Sequence, residues 1–267
     1  MNKVKQIALA VITAFSFNSG GKIVRDIHPE DTLAQIDRPT LLYQAHEHQL
    51  SHRGDISFSE LSTLEEGEDY EIIKKKGRSP IVIIAPHGGV IEPGTDLLAE
   101  SIAGSRYHFY GFVAHTQKCD KTRCRSLHIT STEYREPTLL STLSDVDTAV
   151  SIHSYGSRAK DQEGESKENI IIGGKNVYLR EQIAQSLRKA GFPVEVRIKG
   201  TFAGADPHNF VNLAKEGGVQ IEISRKLMRC LYTMQSKDKE LHPTKEAYTF
   251  IETMRGSIAQ YEQVAQR

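Results

Sequence analysis

The chain has 267 residues and a mass of 29.9 kDa, enough for one large domain with a modest extension. Its 34 Lys and Arg balance its 34 Asp and Glu, so no general electrostatic pull toward nucleic acid or an anionic membrane is expected. With 38% hydrophobic and 25% charged residues and a mean hydropathy of −0.43, the composition is globular, and 20 Gly and nine Pro exclude a collagen-like or linker-dominated chain.

At the start of the chain, Lys3 and Lys5 precede an apolar run from Ile7 to Phe17, which is followed by Asn18, Ser19 and Gly20. The run falls short of the ~20 residues a spanning helix needs, and small residues stand at Ala14 and Ser16. Residues 1–20 therefore read as a secretory signal cut between Ser16 and Gly20, which would make the mature protein secreted or periplasmic. The alternative is a buried N-terminal element of a cytoplasmic protein. No later stretch has membrane length, so no membrane span is expected in the mature form. Residues 21–66 are polar, carry His28, His46, His48 and His52, and are expected to form an extension around a main domain at 67–267.

Within that domain the pattern sharpens. Residues 79–85 form a β-branched run suited to a strand buried on both faces. A helix is predicted at Thr95–Ala103, with Leu98 and Ile102 on one face and Gly104 as its stop. Residues 107–113, 147–152 and 170–172 read as further strands. An amphipathic helix runs from Asn176 as cap to Gly191 as terminator, lined by Leu179, Ile183, Leu187 and Ala190. Residues 194–198 alternate in strand fashion, and residues 218–223 read as another strand. A last helix begins near Pro243, with Ala247, Ile251, Met254, Ile258 and Tyr261 on one stripe. Strands alternating with helices predict an α/β domain with a largely parallel sheet. Cys119 and Cys124 could close a small disulfide loop or remain thiols, and Cys230 is left over.

Three of the predicted strands run directly into ionisable residues. The first delivers His87-Gly88-Gly89 and then Glu92, the second His153, and the third Glu222 with Arg225 just beyond. Ligands of open α/β sheets bind outside the carboxyl ends of the strands. If these strands are parallel neighbours, all four residues meet at one edge. Two imidazoles and one carboxylate form an open catalytic zinc set, leaving the fourth residue to act on a water molecule. A lone histidine at a strand end is usually only a polar terminus; the joint occurrence on three strands carries the reading. The glycines after His87 are expected to let the backbone approach a metal. His-Glu-x-x-His, Gly-x-Ser-x-Gly, a phosphate loop and a dinucleotide turn are all absent.

Several segments then carry a family likeness. Glu66-Gly-Glu-Asp-Tyr70, Ala85-Pro-His-Gly-Gly-Val-Ile-Glu-Pro-Gly-Thr95, Leu127-His-Ile-Thr-Ser-Thr132, Ser151-Ile-His153 and Val219-Gln-Ile-Glu-Ile-Ser-Arg225 together resemble the poly-γ-glutamate hydrolases of phages and bacteria. The resemblance implies a three-layer, zinc carboxypeptidase-like α/β fold, its central sheet largely parallel or mixed and flanked by helices. It implies one Zn2+ per chain on His87, Glu92 and His153, with Glu222 as the catalytic carboxylate. It also implies hydrolysis of γ-glutamyl amide bonds in an acidic peptide or polymer. Ser154 stands where the resemblance leads one to expect Gly.

An acidic substrate needs cations, ideally guanidinium. Arg225 and His128 lie inside matching motifs and are the leading substrate-binding candidates, with Arg125, and more weakly Arg123 and Arg135, beside them. Residues 206–209 could border the cleft. Two other functions stay open: a peptidoglycan amidase or peptidase of the same metal chemistry, since the His-Gly-Gly and Ser-Ile-His segments also look similar to cell-wall amidases, and a non-catalytic binding domain. The spacing of five residues from His87 to Glu92 favours the first reading over the amidase, and an intact Glu222 speaks against pure binding.

Overall fold

Strand β2 (Ile81–Gly89) is buried along its entire length, as a run of Ile-Val-Ile-Ile-Ala requires, because cover is needed on both faces. Its alternate residues face two separate cores. Ile81 and Ile83 join Leu98 and Ile102 of α1 (Thr95–Ala103) on one side, while Val82 and Ile84 pack with Tyr110 and Phe112 of β3 (His108–Ala114) on the other. The computed structural model describes residues 65–115, 127–156, 169–234 and 240–265. The predicted signal segment, residues 21–64 of the extension, Cys119, Cys124, Arg123 and Arg125 lie outside them.

The remaining elements, in chain order, are β1 (Tyr70–Lys75), which precedes β2, then α2 (Pro137–Asp145), β4 (Thr148–Tyr155) and β5 (Ile170–Gly173). After these come α3 (Val177–Lys189), β6 (Val194–Val196), a 3-10 turn (Phe210–Leu213) and β7 (Gly218–Ser224). The chain continues with α4 (Arg225–Leu231), a small hairpin of β8 (Tyr232–Met234) and β9 (Leu241–Pro243), and α5 (Lys245–Ala265). Among the described residues the main sheet has seven strands in the order β1-β3-β2-β4-β7-β5-β6. The four central strands run parallel, whereas β1 meets β3 and β5 meets β7 antiparallel, so the sheet is mixed.

Helices α1, α3 and α5 cover one face of the sheet through Leu98, Ile183 and Met254, among others. The other face carries Leu139 and Leu143 of α2 together with Ile129, Tyr134 and Phe210. Asn176 caps α3 by accepting from Leu179 N at 3.0 Å. Its amino group donates to Thr148 Oγ1 at 3.1 Å and to the Tyr261 hydroxyl at 2.9 Å, tying α3 to β4 and α5. The stripe of Ala247, Ile251, Met254, Ile258 and Tyr261 is buried as its spacing predicts.

Several elements were not foreseen from the pattern. β1 is a half-exposed edge strand ending in lysines, and α2 is only nine residues long and capped by the Glu136 carboxylate, which accepts from Thr138 N and Leu139 N at 2.7 Å each. α4 follows β7 with no loop, using Ser224 as its cap. In the opposite direction, the predicted strand at 194–198 stops at Val196, and Ile198 is largely exposed. Among the described residues no helix is long and apolar enough to cross a membrane.

Candidate metal centre and active site

Strands β2, β4 and β7 are consecutive parallel neighbours, so the strands bearing His87, His153 and Glu222 end at one edge of the sheet. His153 and Glu222 are direct register partners on β4 and β7, which puts their side chains beside each other on one face. On β2 the pairing with β3 shifts register between Ala85 and Gly88, around Pro86, whose ring nitrogen has no proton to offer a ladder. His87 sits in that irregularity. The chain then turns so that Glu92 N donates to His87 O at 2.8 Å, which brings the Glu92 carboxylate back beside the imidazole.

The two glycines after His87 meet a packing constraint of their own. Gly89 has φ 69°, and a Cβ there would stand 2.0 Å from the Ala114 carbonyl oxygen. A Cβ on Gly88 would stand 2.7 Å from that of Asp96. Their smallness serves the close passage of β2 against β3 and α1, and no approach to a ligand is needed to account for it.

The four residues are almost completely buried: His87 and His153 at 2% exposure, Glu222 at 5% and Glu92 at 7%. His87 Nδ1 lies 3.1 Å from Glu92 Oε1 and 3.3 Å from His153 Nδ1, and His153 Nδ1 is 3.8 Å from Glu92 Oε2. His87 Nε2 stands 2.8 Å from the Ile129 carbonyl, which can only accept, so Nε2 carries the proton. In the neutral ring the Nδ1 lone pair then faces a carboxylate oxygen and a second imidazole nitrogen. Such a cluster is stable only with a proton or a cation at its centre. Burial, followed by the neighbouring imidazoles, outweighs the Glu92 charge and lowers the His153 pKa to about 3, so this ring is a neutral donor over the ordinary pH range. Burial by itself would raise the Glu92 pKa, but the facing His87, with His153 and His128, brings it below the usual carboxylate value. Two neutral-capable imidazoles and one ionised carboxylate fit a divalent ion of the zinc type.

His128, expected on the substrate side, lies against His87 with ring centroids 4.1 Å apart and the rings tilted by 31°. One ligand atom each from His87, Glu92 and His128 lie within 4.8 Å of one another. Ser154 enters through its backbone, donating N–H to Glu92 Oε2 at 2.8 Å, a contact that does not depend on its side chain.

Burial and the facing Glu92 carboxylate push the Glu222 pKa well above the ordinary range. Its Oε1 accepts from Gln220 Nε2 at 2.8 Å. Gln220 was not picked out from the sequence. The available signal was the two-residue period of β7, which puts Gln220 on the same face as Glu222.

The remaining candidates divide. Arg225 opens α4 half-buried, where it feels the Glu92 charge, and among the described residues it makes no hydrogen bond or ion pair. Arg135 spends its guanidinium on the carbonyls of Tyr134 and His208, so it braces a loop. Of residues 206–209, Asp206 and His208 are exposed and bonded to each other, whereas Asn209 is buried.

Comparison with known proteins adds a family. A family model described as poly-gamma-glutamate hydrolase matches residues 56–253. The Bacillus subtilis UPF0714 proteins YndL and YmaC are each 30% identical to this chain, over 74% and 76% of it and over 75% and 82% of their own lengths. Among solved structures, a bacteriophage poly-gamma-glutamate hydrolase is similar with a TM-score of 0.66 and 28% identity, covering 76% of this chain and 94% of that one. A zinc-free form of YndL gives a TM-score of 0.67 and 28% identity, with 76% and 96% coverage. The mixed seven-stranded sheet between helices is thus the zinc carboxypeptidase-like architecture that the resemblance implied.

Proposed function

The chain belongs to the poly-gamma-glutamate hydrolase family, and from that premise we propose that it is a zinc-dependent hydrolase of γ-glutamyl amide bonds, with one ion held by His87, Glu92 and His153 and Glu222 as general base. The observation that carries this reading is the His87 Nδ1 lone pair, buried and aimed at both a carboxylate oxygen and His153 Nδ1, with Glu222 on the adjoining strand. The zinc-free description of the YndL structure supports zinc as the ion.

A bound divalent ion would supply the Lewis acidity that activates water and polarises the scissile carbonyl. Glu222 takes the proton of the attacking water and passes it to the departing amine. Burial and the facing Glu92 charge raise its pKa, which strengthens the carboxylate as a proton acceptor. Arg225, half-buried without a protein partner among the described residues, is the anchor for a substrate carboxylate. His128, beside His87, can donate to the carbonyl oxygen as negative charge develops there. Arg125, which lies outside the described residues, is a further substrate-binding cation in the same proposal, and residues 1–20 as a secretory signal would have the mature enzyme act outside the cytoplasm.

The test is incubation of the zinc-supplemented protein with poly-γ-glutamate, α-linked polyglutamate and purified cell wall. Loss of chain length in the γ-linked polymer alone is expected. Solubilisation of cell wall with the polymer left intact would replace this reading with the amidase, and no cleavage of any of the three would leave a binding domain.

A further inference from the structure

Beneath Glu222 runs a line of buried amides whose direction is set by the backbone. Val211 N lies 3.1 Å from Asn209 Oδ1, and a backbone N–H can only donate, so the Asn209 oxygen is committed there. The Asn209 amino group consequently faces Gln220 Oε1, at 2.7 Å. With its oxygen taken, Gln220 must present its amino group to Glu222 Oε1, at 2.8 Å. Flipping either amide would set two oxygens or two amino groups against each other in a dry site, where an unmade bond is costly.

The surroundings hold the line in place. Asn209 and Gln220 are exposed by only 4% and 5%. Asn209 N bonds to Asp206 O at 3.1 Å, and Phe210 N to Ser131 O at 3.0 Å, which fixes the turn that carries Asn209. Gly204, at φ 56°, lies against Gln220 so closely that a Cβ there would stand 2.7 Å from the glutamine Cβ and 3.0 Å from its Oε1. The Gln220 side chain therefore has little room to choose another rotamer.

We propose that Asn209 and Gln220 are positioning residues, a one-directional hydrogen-bond chain that holds Oε1 of Glu222 and leaves Oε2 alone to face the reacting water. This rests on the reading of Glu222 as general base. A carboxylate free to rotate would present either oxygen, in a range of poses; one pinned at Oε1 presents one. Neither residue touches substrate or metal in this scheme.

Two substitutions probe the chain without emptying the core. Asn209→Asp still accepts from Val211 N but cannot donate to Gln220, and Gln220→Leu removes the donor to Glu222. Each should lower kcat by about 10- to 100-fold with KM and zinc content unchanged, and the double variant should be no slower than the slower single one. Independently of activity, the Gln220 side-chain amide should exchange slowly with solvent in 1H–15N spectra, and its signal should move in both Asn209→Asp and Glu222→Gln. An unmoved amide signal, an unchanged kcat, or losses that multiply in the double variant would overturn the positioning chain. Full activity in Glu222→Gln would instead remove the general-base reading, while the Gln220 signal would still report whether the chain exists.

Discussion

The Nδ1 atoms of His87 and His153 lie 3.3 Å apart although 66 residues separate them in the chain. Two ring nitrogens at that distance repel unless they share a proton or a cation, and Glu92, 3.1 Å from the first and 3.8 Å from the second, supplies a negative charge to the same spot. Removing either imidazole should therefore abolish metal binding. We expect about one zinc per chain in the wild type and essentially none in His87→Ala or His153→Ala, measured by elemental analysis after dialysis. Full occupancy in one variant would strike that histidine from the ligand set.

Glu222→Gln keeps the size of the side chain and the partner of Gln220 but cannot accept a proton. Zinc content should stay at the wild-type level while kcat falls by about 10²- to 10⁴-fold, as is usual for loss of a general base. Steady-state kinetics beside metal analysis checks both halves. Equal turnover would place the base elsewhere.

Arg225 should govern binding more than chemistry. Arg225→Ala is expected to raise KM for glutamyl substrates by about tenfold or more while leaving kcat nearly intact, and Arg225→Lys should recover only part of the loss, because a lysine cannot make the two-pronged contact. A KM unchanged in the alanine variant would return Arg225 to the surface.

Gly89→Ala tests the close passage beside the site. The new methyl would meet the Ala114 carbonyl at 2.0 Å, on a residue at φ 69°. Combined overpacking and backbone strain should cost about 3 kcal/mol, read as a lower midpoint in denaturant with the slope unchanged. Wild-type stability would mean that β3 can yield at this point.

Local chemistry made much of the fold legible. The cap at Asn176, the stop at Gly104 and the stripe on α5 depend on neighbours within a few residues, and each is found where its pattern predicts. Likewise the residue types and their places at strand ends sufficed to nominate His87, Glu92, His153 and Glu222. The short elements β1 and α2 left weak patterns, because a half-exposed edge strand and a nine-residue helix bury too few side chains to mark a period.

What the chain's own order of residues settled was which side chains are chemically able to hold an ion and move a proton, since that follows from their identity and from the strands that end beside them. Whether they meet depended on strand order: β2, β4 and β7 could have been separated in the sheet, and their adjacency is set by packing among segments far apart in sequence. The same holds for the tight packing at Gly88 and Gly89, the placing of His128 against His87, and the line from Asn209 to Gln220 to Glu222. These are contacts across the sheet and its covering loops, where a hydrogen bond or a van der Waals limit acts through space, and no local spacing records it.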